Sequence, residues 1–302
     1  MKNIEALNTN WIYDRNGMPQ AITDHVKNQF RDVAYGTAPL QKLDVYLPDE
    51  RQGPLPVILM IHGGGFIHCD KHDFHLYPMF YAVERGFAVV AMNYRLSPKV
   101  VYPAHLSDVY TVLDWIGLHA DDYGLNRKNV YLWGSSAGGH LALMAGMKRG
   151  HACSSAYHRL GEIEIRAIAA LCPALGFGRL SREGYGTLSQ MARVVVWHLL
   201  RKKVLGSFKP SIDAIRDSDP AKYLPSGIAP LYLQQGTKDP IISTRDILAF
   251  AKEAGRVLDQ NDLVMDVLEG VAHAGAGPEF FLKEHVDPIL DFFEQHRAER
   301  GN

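Results

Sequence analysis

Short apolar runs that alternate with helix-spaced apolar stripes constrain this 302-residue chain more than any other feature of its sequence. Residues 57–61 form a β-rich run that ends in a glycine cluster, and Leu76, Met79, Phe80 and Val83 then recur at helical spacing until Arg85-Gly86 stops them. Residues 87–92 are the next strand-like run. Leu106, Val109, Tyr110, Leu113 and Ile116 make a second stripe, opened by Pro103 near its first turn, and residues 130–133 follow as another short strand. Residues 165–171, 231–234 and 263–268 continue the series. Helical stripes follow the last two, through Ile247, Phe250, Ala251, Ala254 and Leu258 and then through Phe281, Val286, Ile289, Leu290 and Phe293. Strands that read as continuous apolar runs must be covered on both faces, so the pattern predicts a mostly parallel sheet between helical layers. Ligands of such sheets bind at the carboxyl ends of the strands.

No repeat, low-complexity tract or compositional shift marks a linker, so residues 1–302 read as a single domain. Two segments break the rhythm. Residues 1–31 carry Trp11, Ile12, Tyr13 and Phe30 without a strand–helix pattern, and the insert 174–218 interrupts the alternation; both are expected to act as cap elements over a site. Within the insert, Leu188, Met191, Val195 and Leu199 suit a helix whose other face carries Arg193, Arg201, Lys202 and Lys203. The charge is nearly balanced, with 32 Lys and Arg against 33 Asp and Glu, which argues against a nucleic-acid or polybasic membrane surface. No apolar run approaches the roughly 18–20 residues that cross a bilayer. Residues 1–10 lack the charged-then-apolar pattern of a secretion signal, so a cytoplasmic location is expected. Cys69, Cys153 and Cys172 are too few and too scattered for a disulfide framework or a four-thiolate zinc site, and read as free thiols.

Gly134-Ser135-Ser136-Ala137-Gly138-Gly139 lies between the run 130–133 and the helix-prone Leu141-Ala142-Leu143-Met144-Ala145. This is a G-x-S-x-G elbow in a strand–turn–helix setting: small neighbours allow a strained turn, and the following helix aims its first amides at the reacting centre. Position makes Ser136 the candidate nucleophile, with Ser135 a structural neighbour. His62-Gly63-Gly64-Gly65-Phe66 follows the run 57–61, and consecutive glycines leave backbone N–H groups uncovered. The amides of Gly64, Gly65 and Ala137 would make an oxyanion hole, each donor worth about 3 kcal/mol in such sites. A serine nucleophile needs a base and an orienting acid on loops after later strands. Asp239, in Gly236-Thr237-Lys238-Asp239-Pro240, and His273, in Gly270-Val271-Ala272-His273-Ala274-Gly275, occupy those places in the order serine, acid, histidine. Asp246 and Asp266 compete weakly for the acid, since one falls in a helix and the other in a strand.

His62-Gly63-Gly64-Gly65, Asn93-Tyr94-Arg95-Leu96-Ser97-Pro98, Tyr102-Pro103-Ala104 and the elbow together resemble α/β-hydrolase esterases of the hormone-sensitive-lipase type. Leu43-Asp44-Val45-Tyr46-Leu47-Pro48 is similar to the bacterial branch with acetylxylan and feruloyl esterases. The resemblance runs over about residues 32–297. It implies an α/β-hydrolase fold with an eight-stranded, mostly parallel sheet and a small cap, a triad of Ser136, Asp239 and His273, and an oxyanion hole at Gly64, Gly65 and Ala137. Phe66 and Trp197 are expected to touch substrate. The chain departs from the family at Ser135 and Lys99, where acidic residues are common, and at Ala274-Gly275-Ala276, where an aromatic is common; these departures bear on the substrate.

A rival cluster is His68, Cys69, Asp70, His72, Asp73 and His75, whose donor types could hold a transition metal but whose spacing fits no zinc pattern. Solvated capping residues are the plainer account, so neither metal nor cofactor is expected. Arg95, just after a buried strand, reads as structural. The expected activity is hydrolysis of small or short-chain acyl esters, such as acetyl or feruloyl groups on sugars, through a Ser-His-Asp acyl-enzyme. Hydrolysis of a small amide, as by an arylformamidase, would use the same residues. A catalytically silent small-molecule receptor would have lost one of the triad, and all three positions are occupied here. The partner is a small ester, and the oligomeric state, homodimer included, stays open.

Overall fold

The computed structural model describes residues 12–13, 19–21, 23–147, 162–177, 190–274 and 279–298. A two-stranded pair, β1 (Ile12–Tyr13) with β2 (Pro19–Gln20), precedes the main sheet. Then come β3 (Asn28–Ala34), β4 (Lys42–Leu47), β5 (Leu55–Ile61), α1 (Tyr77–Glu84), β6 (Ala88–Met92), α2 (Ala104–Tyr123), β7 (Leu125–Ser135) and α3 (Ala137–Met147). The series continues with β8 (Ile165–Leu171), α4 (Gln190–Leu205), α5 (Ile212–Asp217), β9 (Leu231–Gly236), α6 (Thr244–Ala254), β10 (Leu263–Leu268) and α7 (Lys283–Gln295). The eight strands β3 to β10 form one sheet in the order β10-β9-β8-β7-β5-β6-β4-β3. From β6 to β10 every neighbouring pair is parallel, and β4 runs antiparallel to both β3 and β6.

Central strand β5 is buried along its whole length because both faces are covered. Alternation sends Val57, Leu59 and Ile61 into one apolar layer with Leu106, Val109 and Leu141 of α2 and α3. Ile58 and Met60 point the other way, into a layer with Phe80 of α1 and Ile289 and Phe293 of α7. Leu59, fully buried in the first layer, would cost about 2–5 kcal/mol if cut to Ala. Each predicted strand lies within or close to an observed one, and β5, β7 and α2 extend beyond the stretches marked by their apolar residues. Gly124 ends α2 in the left-handed region at φ 68°, its N–H donating to the Ala120 carbonyl.

Strands β1 to β4 lack a periodic sequence signal. Residues 28–31, expected from sequence to belong to a covering segment, instead open edge strand β3, where Phe30 pairs with Val45 and stays 45% exposed. An edge strand with a half-solvated face has no continuous apolar run to betray it. The remaining residues of that segment lie largely outside the described ones.

Candidate active site

Gly134 and Gly138 are demanded by close packing at the elbow. A Cβ at Gly134 would come within 2.3 Å of the Gly138 carbonyl oxygen, and one at Gly138 within 2.0 Å of the Ile61 carbonyl oxygen. Between them Ser136 is held at φ 54°, a left-handed conformation that a non-glycine residue adopts at a cost, and the packing around it maintains that strain. Its N–H donates to the Leu171 carbonyl at 2.8 Å, while its own carbonyl accepts from the amides of His140 and Ala174. Ser135 is buried within the sheet, and Ser136 opens into a cavity of about 640 Å³ at the carboxyl ends of the strands.

Gly64, Gly65, Ala137 and His273 line that same cavity, so the residues assigned to the oxyanion hole and the base meet Ser136 around one space. The glycine loop is tightly wound: Gly64 sits at φ 91° and Gly65 at φ 59°, and a Cβ at Gly64 would strike the His68 carbonyl oxygen at 2.2 Å. Phe66 also borders the cavity but is 97% hidden, its ring against Phe177, His105 and His140. The side chain of Trp197 lies outside the described residues. Its helix α4 reaches the cavity with Leu199, Leu200 and Lys203. Lys203 thus lies on the side of α4 that bears Leu199, not opposite it as the sequence stripe suggested, because a spacing of four residues returns to the same helix face.

Asp239 is fully enclosed behind His273 and richly bonded. Its Oδ1 accepts the amides of Ile241 at 2.8 Å and Ile242 at 2.9 Å, and its Oδ2 lies 2.6 Å from His273 Nδ1 and 3.2 Å from Gln235 Nε2. Asp246 and Asp266 are elsewhere, in α6 and β10, and Asp266 accepts from Tyr232 and Gln234. Beside the pair is Cys172, whose sulfur lies within 4.8 Å of a His273 ring nitrogen and an Asp239 oxygen. Burial pushes the His273 pKa down, but the Cys172 sulfur and Asp239 carboxylate push it up, and the net shift is upward from 6.5. Nothing in the sequence marked Cys172 as a neighbour of the histidine, because their contact depends on the lateral order of the strands.

A second histidine–carboxylate pair lies beneath the glycine loop. The Gly63 N–H donates to His75 Nε2 at 3.2 Å, so the other ring nitrogen, Nδ1, carries the hydrogen and donates to Asp73 Oδ1 at 2.6 Å. His62 stacks on Tyr94 with centroids 4.3 Å apart, and Tyr94 Oη donates to the His62 and Gly63 carbonyls. Full burial pushes the His62 pKa down to about 4, which keeps the ring neutral at physiological pH.

The histidine-rich stretch divides its labour. His72 pairs with Asp44 and Asp70, and buried Lys71 pairs with Asp44 at 3.1 Å and Asp32 at 3.0 Å, tying the loop to the sheet. Cys69, Asp73 and His75 bring ligand atoms within 4.8 Å of one another, but the polar atoms of Asp73 and His75 already bond each other and the loop backbone. Arg95 grips Asp108 with three contacts of 2.7–3.0 Å, the structural role expected of it.

A family profile described as BD-FAE matches residues 43–253. The chain belongs to the BD-FAE family. This BD-FAE chain is 26% identical over 245 residues to the esterase LipC of Mycobacterium tuberculosis, a match that covers 80% of the chain and 59% of LipC. It spans roughly half to three fifths of the mycobacterial relatives LipC, LipM and LipQ. A shorter match, 37% identical over 122 residues and 39% of either chain, is to the kynurenine formamidase of Danio rerio. Among solved structures, a truncated carbohydrate esterase from gut microbiota superposes with TM-score 0.75 at 17% identity, over 92% of this chain and 99% of that one. The thermophilic esterase Est2 of Thermogutta terrifontis, with propionate bound, gives 0.66 at 21% identity, over 89% and 95%. These structures share the α/β-hydrolase fold implied by the motifs.

Proposed function

We propose that this BD-FAE chain is a serine carboxylesterase acting on small or short-chain acyl esters, with Ser136, His273 and Asp239 as its triad. The observation that carries the reading is that a strained Ser136, the residues Gly64, Gly65 and Ala137, and the Asp239-anchored His273 all border one cavity. His273 takes the Ser136 proton as the hydroxyl attacks the acyl carbon, and the oxyanion that forms receives the amides of Gly64, Gly65 and Ala137. The ring then hands the proton to the departing alcohol. Water, activated in turn by His273, releases the acid from the acyl-enzyme. Asp239 fixes the ring's orientation and stabilises its charged form. Phe66 shapes the wall and Trp197 is assigned to the substrate-covering helix.

Acetyl or feruloyl groups on sugars are the proposed natural class, and the gut carbohydrate esterase of like fold is in keeping with it. The match to a kynurenine formamidase favours a second, weaker reading, hydrolysis of a small arylamide by the same residues. Assay of wild type and Ser136→Ala on p-nitrophenyl esters, acetylated and feruloylated sugars and an arylformamide decides between them. Turnover of esters, abolished by the substitution, is the expected result. Faster turnover of the amide would reassign the chain, and Ser136-independent turnover would remove the mechanism.

A further inference from the structure

The wall of the cavity is mainly apolar, and the one lysine among the described residues that line it comes from α4. Lys203 lines the cavity one turn beyond Leu199 and Leu200 on α4, and among the described residues no acidic side chain lines the same space. None of the carboxylates among the described residues pairs with Lys203, whereas its neighbour Lys202 is engaged over the Phe208 ring at 4.4 Å. The local sequence deepens the asymmetry. Between Glu183 and Asp213 there are five cations, Arg193, Arg201, Lys202, Lys203 and Lys209, and no Asp or Glu, in a chain whose net charge is −1. Lys203 is itself solvent-exposed, so its field acts at the entrance of the cavity, where the adjoining apolar wall limits screening on one side only.

We infer that the preferred ester carries a carboxylate away from its scissile bond, and that Lys203 is the residue that selects it. This rests on the hydrolase reading above and narrows it: Leu199 and Leu200 cover the apolar body of the substrate, while Lys203 meets its anionic end near the mouth. A lysine serves here as a point charge on a flexible stem, suited to a single carboxylate placed at more than one depth.

Two matched pairs of esters test this. One carries the charge on the alcohol side, 4-acetoxybenzoate against its methyl ester; the other carries it on the acyl side, monophenyl adipate against phenyl hexanoate. Wild type is expected to favour the anionic member of at least one pair by about tenfold in kcat/KM, an advantage that shrinks with added salt. Lys203→Met should bring that ratio to about one, and Lys203→Arg should restore it. A ratio unaltered by Lys203→Met, or a wild-type preference for the neutral member of both pairs, overturns the inference while leaving the esterase reading intact. If wild type turns over none of the four, the esterase reading fails instead. Calorimetric titration of the same pairs against wild type and Lys203→Met then decides the role of Lys203 through the corresponding ratio of Kd values.

Discussion

Two histidine–aspartate pairs flank the cavity, His273 with Asp239 and His75 with Asp73, and each has its Nδ1 2.6 Å from the carboxylate. Both rings border the same space. They differ in what else they meet: His75 Nε2 is occupied by the Gly63 N–H, whereas the His273 ring, carried on a loop beyond β10, lines the cavity together with Ser136 and has the Cys172 sulfur as a side-chain neighbour. A nitrogen that accepts a backbone hydrogen bond cannot also receive a substrate proton without breaking it. On the proposed mechanism, the pair beneath the loop holds the glycine loop in place and the pair across the cavity moves the proton. A histidine hydrogen-bonded to a buried aspartate is not in itself a catalytic signature; the partner of its second nitrogen decides.

The largest expected effects separate the two pairs outright. Ser136→Ala and His273→Gln should each lower kcat by about ten-thousand-fold or more, and the double variant should lose little beyond either single one, as groups acting as a unit do. Asp239→Asn should follow at about a thousand-fold or somewhat more. His75→Gln should cost about a hundredfold in kcat, the scale of a misplaced oxyanion donor, with KM changed less and the melting temperature lowered. If steady-state kinetics gave His75→Gln the same loss as His273→Gln, the division of roles would be wrong.

The pH profile sharpens the contrast further. His273 must be neutral to accept the Ser136 proton, and its raised pKa keeps it charged to higher pH, so kcat/KM should rise with pH through a midpoint above 6.5. An unperturbed histidine would give a midpoint of about 6.5. Cys172→Ala removes one of the two groups that raise it and should bring the midpoint down. A midpoint that stayed in place would exclude the sulfur as a contributor. The smallest effect expected is none: prolonged treatment with a chelator should leave turnover unchanged, since Asp73 and His75 are engaged with each other and with Gly63. Loss of activity restored by zinc would turn the cluster with Cys69 into a metal site.

Much of this site could be read in the chain. The elbow, the glycine loop and the loops bearing Asp239 and His273 each follow an apolar run, and that local setting distinguishes them from the other serines, glycines and histidines. Asp73 and His75 read from sequence as solvated capping residues, because a D-x-H spacing is the same whether its side chains face water or the underside of a loop. Lys203 was assigned to an outer helix face because a stripe of leucines shows which side of a helix is apolar, not what lies against it.

The alternation of strands and helices from β5 onward, and the loops on which the nucleophile, acid and base would fall, were determined by the sequence alone, because apolar periodicity and glycine placement act over a few residues and leave a local record. The neighbours of those groups were decided by the tertiary structure. Cys172 reaches His273 because β8 lies next to β9, which is itself beside β10; His75 reaches Gly63 because the loop after β5 folds back under itself; and Lys203 reaches the cavity because the end of α4 borders it. Such contacts join positions that are distant in the chain or separated by a reversal of its direction, and only the packing of the sheet, its loops and its helices fixes the distances on which the chemistry depends.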